Sequence, residues 1–304
     1  MYIHPLLPLI PLLIPASATP PPLGLNPIKC PLIFDGRILQ NLTLSSFDSA
    51  AASPYSPTYV KGQNLTWSQI LLLPNPNATT ASRFDSSAHR PLEVTVNDAS
   101  LFRSGAGLQL GFRRAGLLLK GDGNAIGADA ADAGVVTFHW SVKQDSVKPL
   151  NLSHEYMNVW HEKADYSGNQ FAFVGGVVLV VDGGDGVDTE EERNSWKIQD
   201  SKNKFIFRTK IEFDQWQNFA VRLDYVASTV QVFYSTGDDF LKAATEILPN
   251  DNAGGGQLQL GIAKKPTETE TVVWDGYQES MPHGEGQIYG GVFVEDSKDG
   301  CISL

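Results

Sequence analysis

The stretch Asn218–Ser235, NFAVRLDYVASTVQVFYS, decides the fold class. Two runs of alternating character flank the short link Val226-Ala227-Ser228, and the second run is rich in β-branched and aromatic residues. In that run Val230, Val232 and Tyr234 share one face, while Gln231, Phe233 and Ser235 share the other. The pattern predicts a β-hairpin. Working outward, short apolar or alternating runs recur from about Pro91, including 92–96, 108–120, 135–143, 155–162, 170–181 and 204–211. Further runs follow at 257–263, 271–277 and 287–294. Turn residues separate nearly all of them, and no amphipathic helix of ten residues is apparent; a single helical turn is expected around Phe240–Thr245. Many short strands with turns between them imply an all-β protein, a β-jelly roll or two-sheet β-sandwich. Gly-Gly steps at Gly175–Gly176, Gly254–Gly256 and Gly290–Gly291 predict bulges, turns or close backbone approach.

The N-terminal end has a different composition. Pro5 to Pro15 is almost wholly apolar and is followed by Ala16-Ser17-Ala18. This predicts a secretory signal peptide over residues 1–18, too short for the ~20 residues of a membrane span. Residues 19–29 read as a Pro-rich lead-in, and 30–304 as one domain. Stretches 44–66 and 74–90, rich in Ser, Ala, Pro, Asn and Thr, read as surface loops. The formal net charge of −11 disfavours nucleic acid and anionic membranes as partners. Cys30 and Cys301 are the only cysteines, and in an oxidising compartment they are expected to form a disulfide joining the two ends. Asn41, Asn64, Asn77 and Asn151 each stand in an N-x-S/T sequon and are eligible for glycosylation after export. A monomer is expected.

Three segments concentrate polar groups within strands. In GFRRAGLL (111–118) one of the adjacent Arg113 and Arg114 must face the sandwich or its cleft. In TFHWSVK (137–143) Thr137, His139, Ser141 and Lys143 oppose Phe138, Trp140 and Val142. In HEYMNVWHE (154–162) strict alternation places Glu155, Met157, Val159 and His161 on one face, and His154, Tyr156, Asn158, Trp160 and Glu162 on the other. On that parity His154 and His161 face opposite ways and do not make a zinc site. Carboxylates beside aromatic rings and imidazoles suit a sugar-binding cleft, since glycosidic cleavage needs two carboxyl groups. The acidic run Asp182–Arg193, with Asp182, Asp185 and Asp188, lacks EF-hand spacing and reads as a solvated loop. No metal site or cofactor is expected. No G-x-S-x-G elbow, Walker loop or dinucleotide fingerprint is present.

At these segments a resemblance appears. GFRRAGL, TFHWSVKQD, PLNLSHEYMNVWHEKADYSGNQF, WQNFAVRLDY, QVFYSTG and GQIYGGVFVED together resemble glycoside hydrolase family 131, secreted fungal β-glucanases, over about Cys30 to Val294. The resemblance implies a β-jelly roll with a broad cleft acting on β-1,3-, β-1,6- and β-1,4-linked glucans, by an inverting mechanism. It implies an Arg-x-Glu pair on one strand and a second glutamate in the HEY block. Arg114 and Glu155 match two of these positions; Gly116 stands where the first glutamate is expected. Candidates to supply the missing carboxyl are Glu162, Glu279, Glu285 or a histidine. His139, His154, Tyr156, Trp160 and His161 are the expected substrate-binding residues. Two readings follow from Gly116: a working β-glucanase with Glu155 as one of its acid/base pair, or a carbohydrate-binding relative with little catalysis. A jelly-roll polysaccharide lyase is a third, disfavoured by the acidic charge.

Overall fold

The computed structural model describes residues 27–58, 60–75, 79–178 and 188–304. The expected signal peptide, most of the lead-in, Asn77, Asp182 and Asp185 lie outside these residues.

In chain order the strands are β1 (Leu32–Asp35), β2 (Ile38–Leu39), β3 (Leu71–Leu72), β4 (His89–Arg90), β5 (Leu92–Val96), β6 (Arg103–Ser104) and β7 (Gly107–Leu108). Then come β8 (Arg113–Leu118), β9 (Val135–Gln144), β10 (Glu155–Lys163), β11 (Asn169–Gly176), β12 (Ser195–Gln199) and β13 (Phe205–Lys210). The last are β14 (Gln217–Asp224), β15 (Thr229–Thr236), β16 (Lys242–Ala243), β17 (Leu248–Pro249), β18 (Gly256–Lys264) and β19 (Glu285–Asp296). Two sheets make a β-sandwich of jelly-roll type. The nine-stranded sheet runs β16-β15-β14-β9-β19-β5-β3, with β1 beside β19 and β17 beside β15. The six-stranded sheet runs β13-β12-β11-β10-β18-β8, and its pairings are antiparallel. The predicted hairpin is β14–β15, in unbroken register from Gln217↔Thr236 to Asp224↔Thr229. The helical turn expected at Phe240–Thr245 is absent; Lys242–Ala243 instead pairs with β15. The run 271–277 is loop rather than strand.

Alternation on β9 sends Phe138, Trp140 and Val142 into the space between the sheets. There Trp140 stacks on Phe171 and Phe219, with ring centroids 5.9 and 5.8 Å away. Such pairs add specific geometry to their apolar burial. The opposite face of β9 is also covered. His139 stacks on Phe293 at 4.2 Å and meets Glu295 at 2.9 Å, beneath a layer of Ile28, Phe84 and Leu241. Two stretches expected as surface loops therefore carry anchors into the molecule: Phe47, Tyr55 and Phe84 are fully buried. The glycine step at Gly290–Gly291 is a bulge, with Gly291 at φ 55° and a register shift against β9. Cys30 and Cys301 form the expected disulfide, Cα to Cα 5.9 Å, beside the β1–β19 pairing.

Candidate active site

The outer face of the six-stranded sheet holds part of the set singled out by sequence, namely Arg114, Glu155, Trp160 and Glu162, and not with the expected parity. On β10, Met157 pairs with Val174 and Val159 with Phe173, so Asn158 is one residue extra against β11. A bulge of this kind breaks the period of two. Tyr156 and Val159 consequently join the main core, and His161 lies there between Phe138 and Phe171. Met157 and Trp160 lie on the outer side with Ala172, Val174 and Ala263. Glu155 shares the side of Met157, two residues on, and so lies on the same face as Trp160 and Glu162, contrary to strict alternation.

Two polar centres lie along β10, the first on this face and the second running from it into the end of the sandwich. In the first, Arg114 reaches across Gly116 toward β10. Its Nη2 donates to Gln259 Oε1 at 3.0 Å and lies 3.5 Å from Glu162 Oε2. Its guanidinium stands 5.6 Å from the Trp160 ring centroid and 5.5 Å from that of Phe102. The Gln259 amide donates to Glu162. Burial draws the Arg114 guanidinium below its usual pKa, against the raising pull of Glu162. Gly116 makes this crossing possible, because a Cβ there would stand 2.9 Å from Gln259 Oε1 and 3.4 Å from Trp160.

The second centre lies at the start of β10. Glu155, almost fully buried, pairs with Lys265. The buried Lys197 ammonium, which donates to the Gly176 carbonyl at 2.9 Å, also acts on Glu155 electrostatically. Beside it, His154 Nδ1 donates to the Lys265 carbonyl at 2.8 Å and Nε2 lies 2.6 Å from Glu279 Oε2. Lys264 bridges Glu279 at 2.9 Å and Glu285 at 2.7 Å, and the Tyr156 hydroxyl donates to Glu285 at 2.6 Å. Burial raises the Glu279 carboxyl, but hydrogen bonds from Lys264 and Asn151 outweigh it and hold the group at about 2.

The structure therefore redistributes the expected substrate-binding residues. His139 lies in the outer layer of the other sheet. His161 lies in the core, where burial pushes its imidazole down to about 3. Tyr156 points inward to Glu285, and His154 is buried against Glu279. Trp160 is on the expected surface but beneath Arg114, as floor rather than open platform. Residues not singled out at first are Lys265, Lys197 and Gln259. The alternation in Gly256-Gln-Leu-Gln-Leu260 was the signal that could have found Gln259. Among the described residues no cluster of His, Cys, Asp and Glu could hold a metal ion.

Residues 32–300 match the sequence model of the glycoside hydrolase 131 catalytic N-terminal domain. The fold is similar to a GH131 β-glucanase catalytic domain from Podospora anserina, at 19% identity and TM-score 0.65, over 87% of this chain and 96% of that one. It is similar also to the catalytic domain of a family 131 protein from Coprinopsis cinerea, at 18% identity and TM-score 0.64, over 90% of this chain and 100% of that one. No curated protein sequence matches significantly. The family match spans both sheets and both polar centres, and the chain is a glycoside hydrolase of family 131.

Proposed function

We propose that this chain hydrolyses β-glucans on the outer face of the six-stranded sheet, with Glu155 as one of two acid/base carboxyls. The observation that carries this reading is the placement of Glu155, Trp160, Glu162, Arg114 and Gln259 together on that face, within a family 131 catalytic domain.

Gly116 supplies no carboxyl, so the partner must come from elsewhere. Glu162 stands seven residues along β10 from Glu155. At ~3.3 Å per residue, less the bulge, that is about 20 Å of backbone. An inverting pair stands only ~6.5–9.5 Å apart. Glu285 is buried with Lys264 and Tyr156 and serves the interior. Glu279 remains: its side chain is 27% exposed, and it adjoins His154, the neighbour of Glu155. Ionised above about pH 2, it suits the base that activates water, with Glu155 as the other carboxyl of the pair.

The test is reducing-sugar release from laminarin, pustulan and barley β-glucan. Wild type is expected to be active, with Glu155→Gln and Glu279→Gln each losing about 10²-fold or more. Unchanged turnover in Glu155→Gln refutes its role. The second reading, a carbohydrate-binding relative, is favoured by Gly116 and by the burial of Glu155; a wild type inert on all three glucans that still binds one of them establishes it.

Export and cleavage after Ala18 are part of this proposal, supported by the Cys30–Cys301 disulfide. So is glycosylation: the sequon residues Asn41, Asn64 and Asn151 are exposed. So too is action as a monomer.

A further inference from the structure

We infer that residues 121–134, between β8 and β9, form a strap across one end of the sandwich that its aspartates hold shut in acid and release as pH rises.

The end concerned is where β10 finishes and β18 begins, the far end of β10 from Glu155. Two carboxyls of the strap reach backbone amides at the start of β18. Leu258 N–H donates to Asp122 Oδ2 at 2.9 Å, and Gly256 N–H to Asp132 Oδ2 at 3.1 Å. Asp129 folds the strap on itself, accepting from Gly123 N–H at 2.6 Å and Ala131 N–H at 2.7 Å. The Asn124 amide donates to the Ala164 carbonyl at 3.2 Å, so the strap also touches the turn after β10. Gly121 and Gly134 bound it at φ 92° and 65°, conformations open to glycine and suited to a hinge. Leu258 and His161 immediately precede Gln259 and Glu162. The strap therefore braces from behind the two strands that carry those polar groups.

The groups that face the cluster are acidic or neutral. The charges acting on Asp122 are Asp129 and Asp132, and Asp129 acts on Asp132 in turn. From the end of β14 comes Tyr225, whose hydroxyl donates to Gln170 at 2.9 Å and lies 3.5 Å from Asp132 Oδ1. From β10 comes His161, fully buried, with Nε2 3.5 Å from Asp132 Oδ1 and neither ring nitrogen hydrogen-bonded. Burial keeps that imidazole neutral down to about pH 3. A protonated Asp132 can donate to His161 Nε2, an acceptor that nothing else serves; an ionised one cannot. The proton is thus the ligand of this cluster.

Burial first, and then the neighbouring aspartates, raise Asp122 to about 8 and Asp132 to about 7. With the strap shut these acids hold their protons. With it open, in water, they lose them near the ordinary value of ~4. Opening therefore releases two protons, and each makes the open form about tenfold more populated per pH unit between the open and the shut values.

The test is amide hydrogen exchange of the native protein from about pH 5 to 8.5, corrected for the intrinsic pH dependence of exchange, beside Asp122→Asn combined with Asp132→Asn. Asparagine keeps an acceptor for each backbone amide and does not ionise. In wild type, protection of residues 121–134, Gly256 and Leu258 should fall by at least about tenfold across that range, while β9 and β14 keep theirs. In the double variant it should stay level, and Asp122→Asn alone should give about half the slope. A thermal melt at the acid end confirms that the variants fold. Constant protection of the strap in wild type overturns the inference. So does an equal loss in β9 and β14, which is global unfolding, or the same fall in the double variant, which places the titrating group elsewhere.

Discussion

Gly116 lies directly beneath the Gln259 carboxamide: a Cβ at residue 116 would stand 2.9 Å from Gln259 Oε1. Gly116→Glu therefore adds a carboxyl to the face only with a shift of the Gln259 carboxamide. The new side chain must displace Gln259 and compete with Glu162 for Arg114. The single variant is expected to lose about 1–3 kcal/mol, the usual cost of overpacking. Gly116→Glu with Gln259→Ala should recover much of that loss. Thermal melts of the two proteins check it; equal melting temperatures for both variants and wild type would show that the contact is slack.

Lys264 is fully buried between Glu279 and Glu285. Removing one partner of a buried ionic cluster leaves charge uncompensated, at a cost of about 3–5 kcal/mol. Lys264→Met should show this in urea unfolding, whereas Lys163→Met should cost under about 1 kcal/mol, because its partner Asp251 is largely exposed. A neutral Lys264→Met would mean that Tyr156 and Asn151 suffice to hold the glutamates.

Stability should be greatest in mild acid. Burial first, and then nearby aspartates, raise Asp122 from 3.8 to about 8 and Asp132 to about 7. Burial and Asp145 raise Glu93 from 4.5 to about 7. An acid with a raised folded pKa holds its proton more tightly in the folded state. Its contribution is complete below the unfolded value and is lost as pH rises through the folded one. These three groups thus withdraw stability between about pH 4 and 8. Glu279 works the other way: its contribution is present above 4.5 and is lost as pH falls toward about 2. Melting temperatures from pH 3 to 9 should decline between about pH 4 and 8 and then level off, and Asp122→Asn should flatten the decline. A flat profile in wild type contradicts this.

The disulfide closes a loop of 271 residues. Chain-entropy arguments assign ~4–5 kcal/mol to so long a loop, with measured values often lower. Cys30→Ser with Cys301→Ser should lower the melting temperature by roughly 5–15 °C, at 2–4 °C per kcal/mol. The β1–β19 pairing still ties the ends together in the variant, so it should fold.

Sequence pattern carried the fold where the period of two ran unbroken. The hairpin of β14 and β15, the two faces of β9 and the disulfide were all legible. Parity failed at one residue. Asn158 inserts an extra position into β10, and nothing about an asparagine between Met157 and Val159 announces a bulge. That insertion moved Val159 and His161 into the core and brought Glu155 onto the side of Trp160. His139 was misplaced for another reason. The face it occupies is correct, but Phe84, Phe293 and the last residues of the chain cover it, and alternation says nothing about what lies over a sheet. The Arg114–Gln259–Glu162 contact spans three strands, two of them distant in sequence, and follows only from the strand order.

That strand order has a consequence for biosynthesis. The last strand, β19, does not sit at an edge; it pairs with β9, β5 and β1 near the middle of the nine-stranded sheet. A nascent chain still short of residue 285 can pair β14 with β9 and β3 with β5, but these halves have no strand to join them. Their facing edges then expose unpaired backbone groups, the kind of surface that recruits other strands. The nine-stranded sheet is completed only once residues 285–296 have left the ribosome, so the strands made before them wait with open edges until β19 arrives.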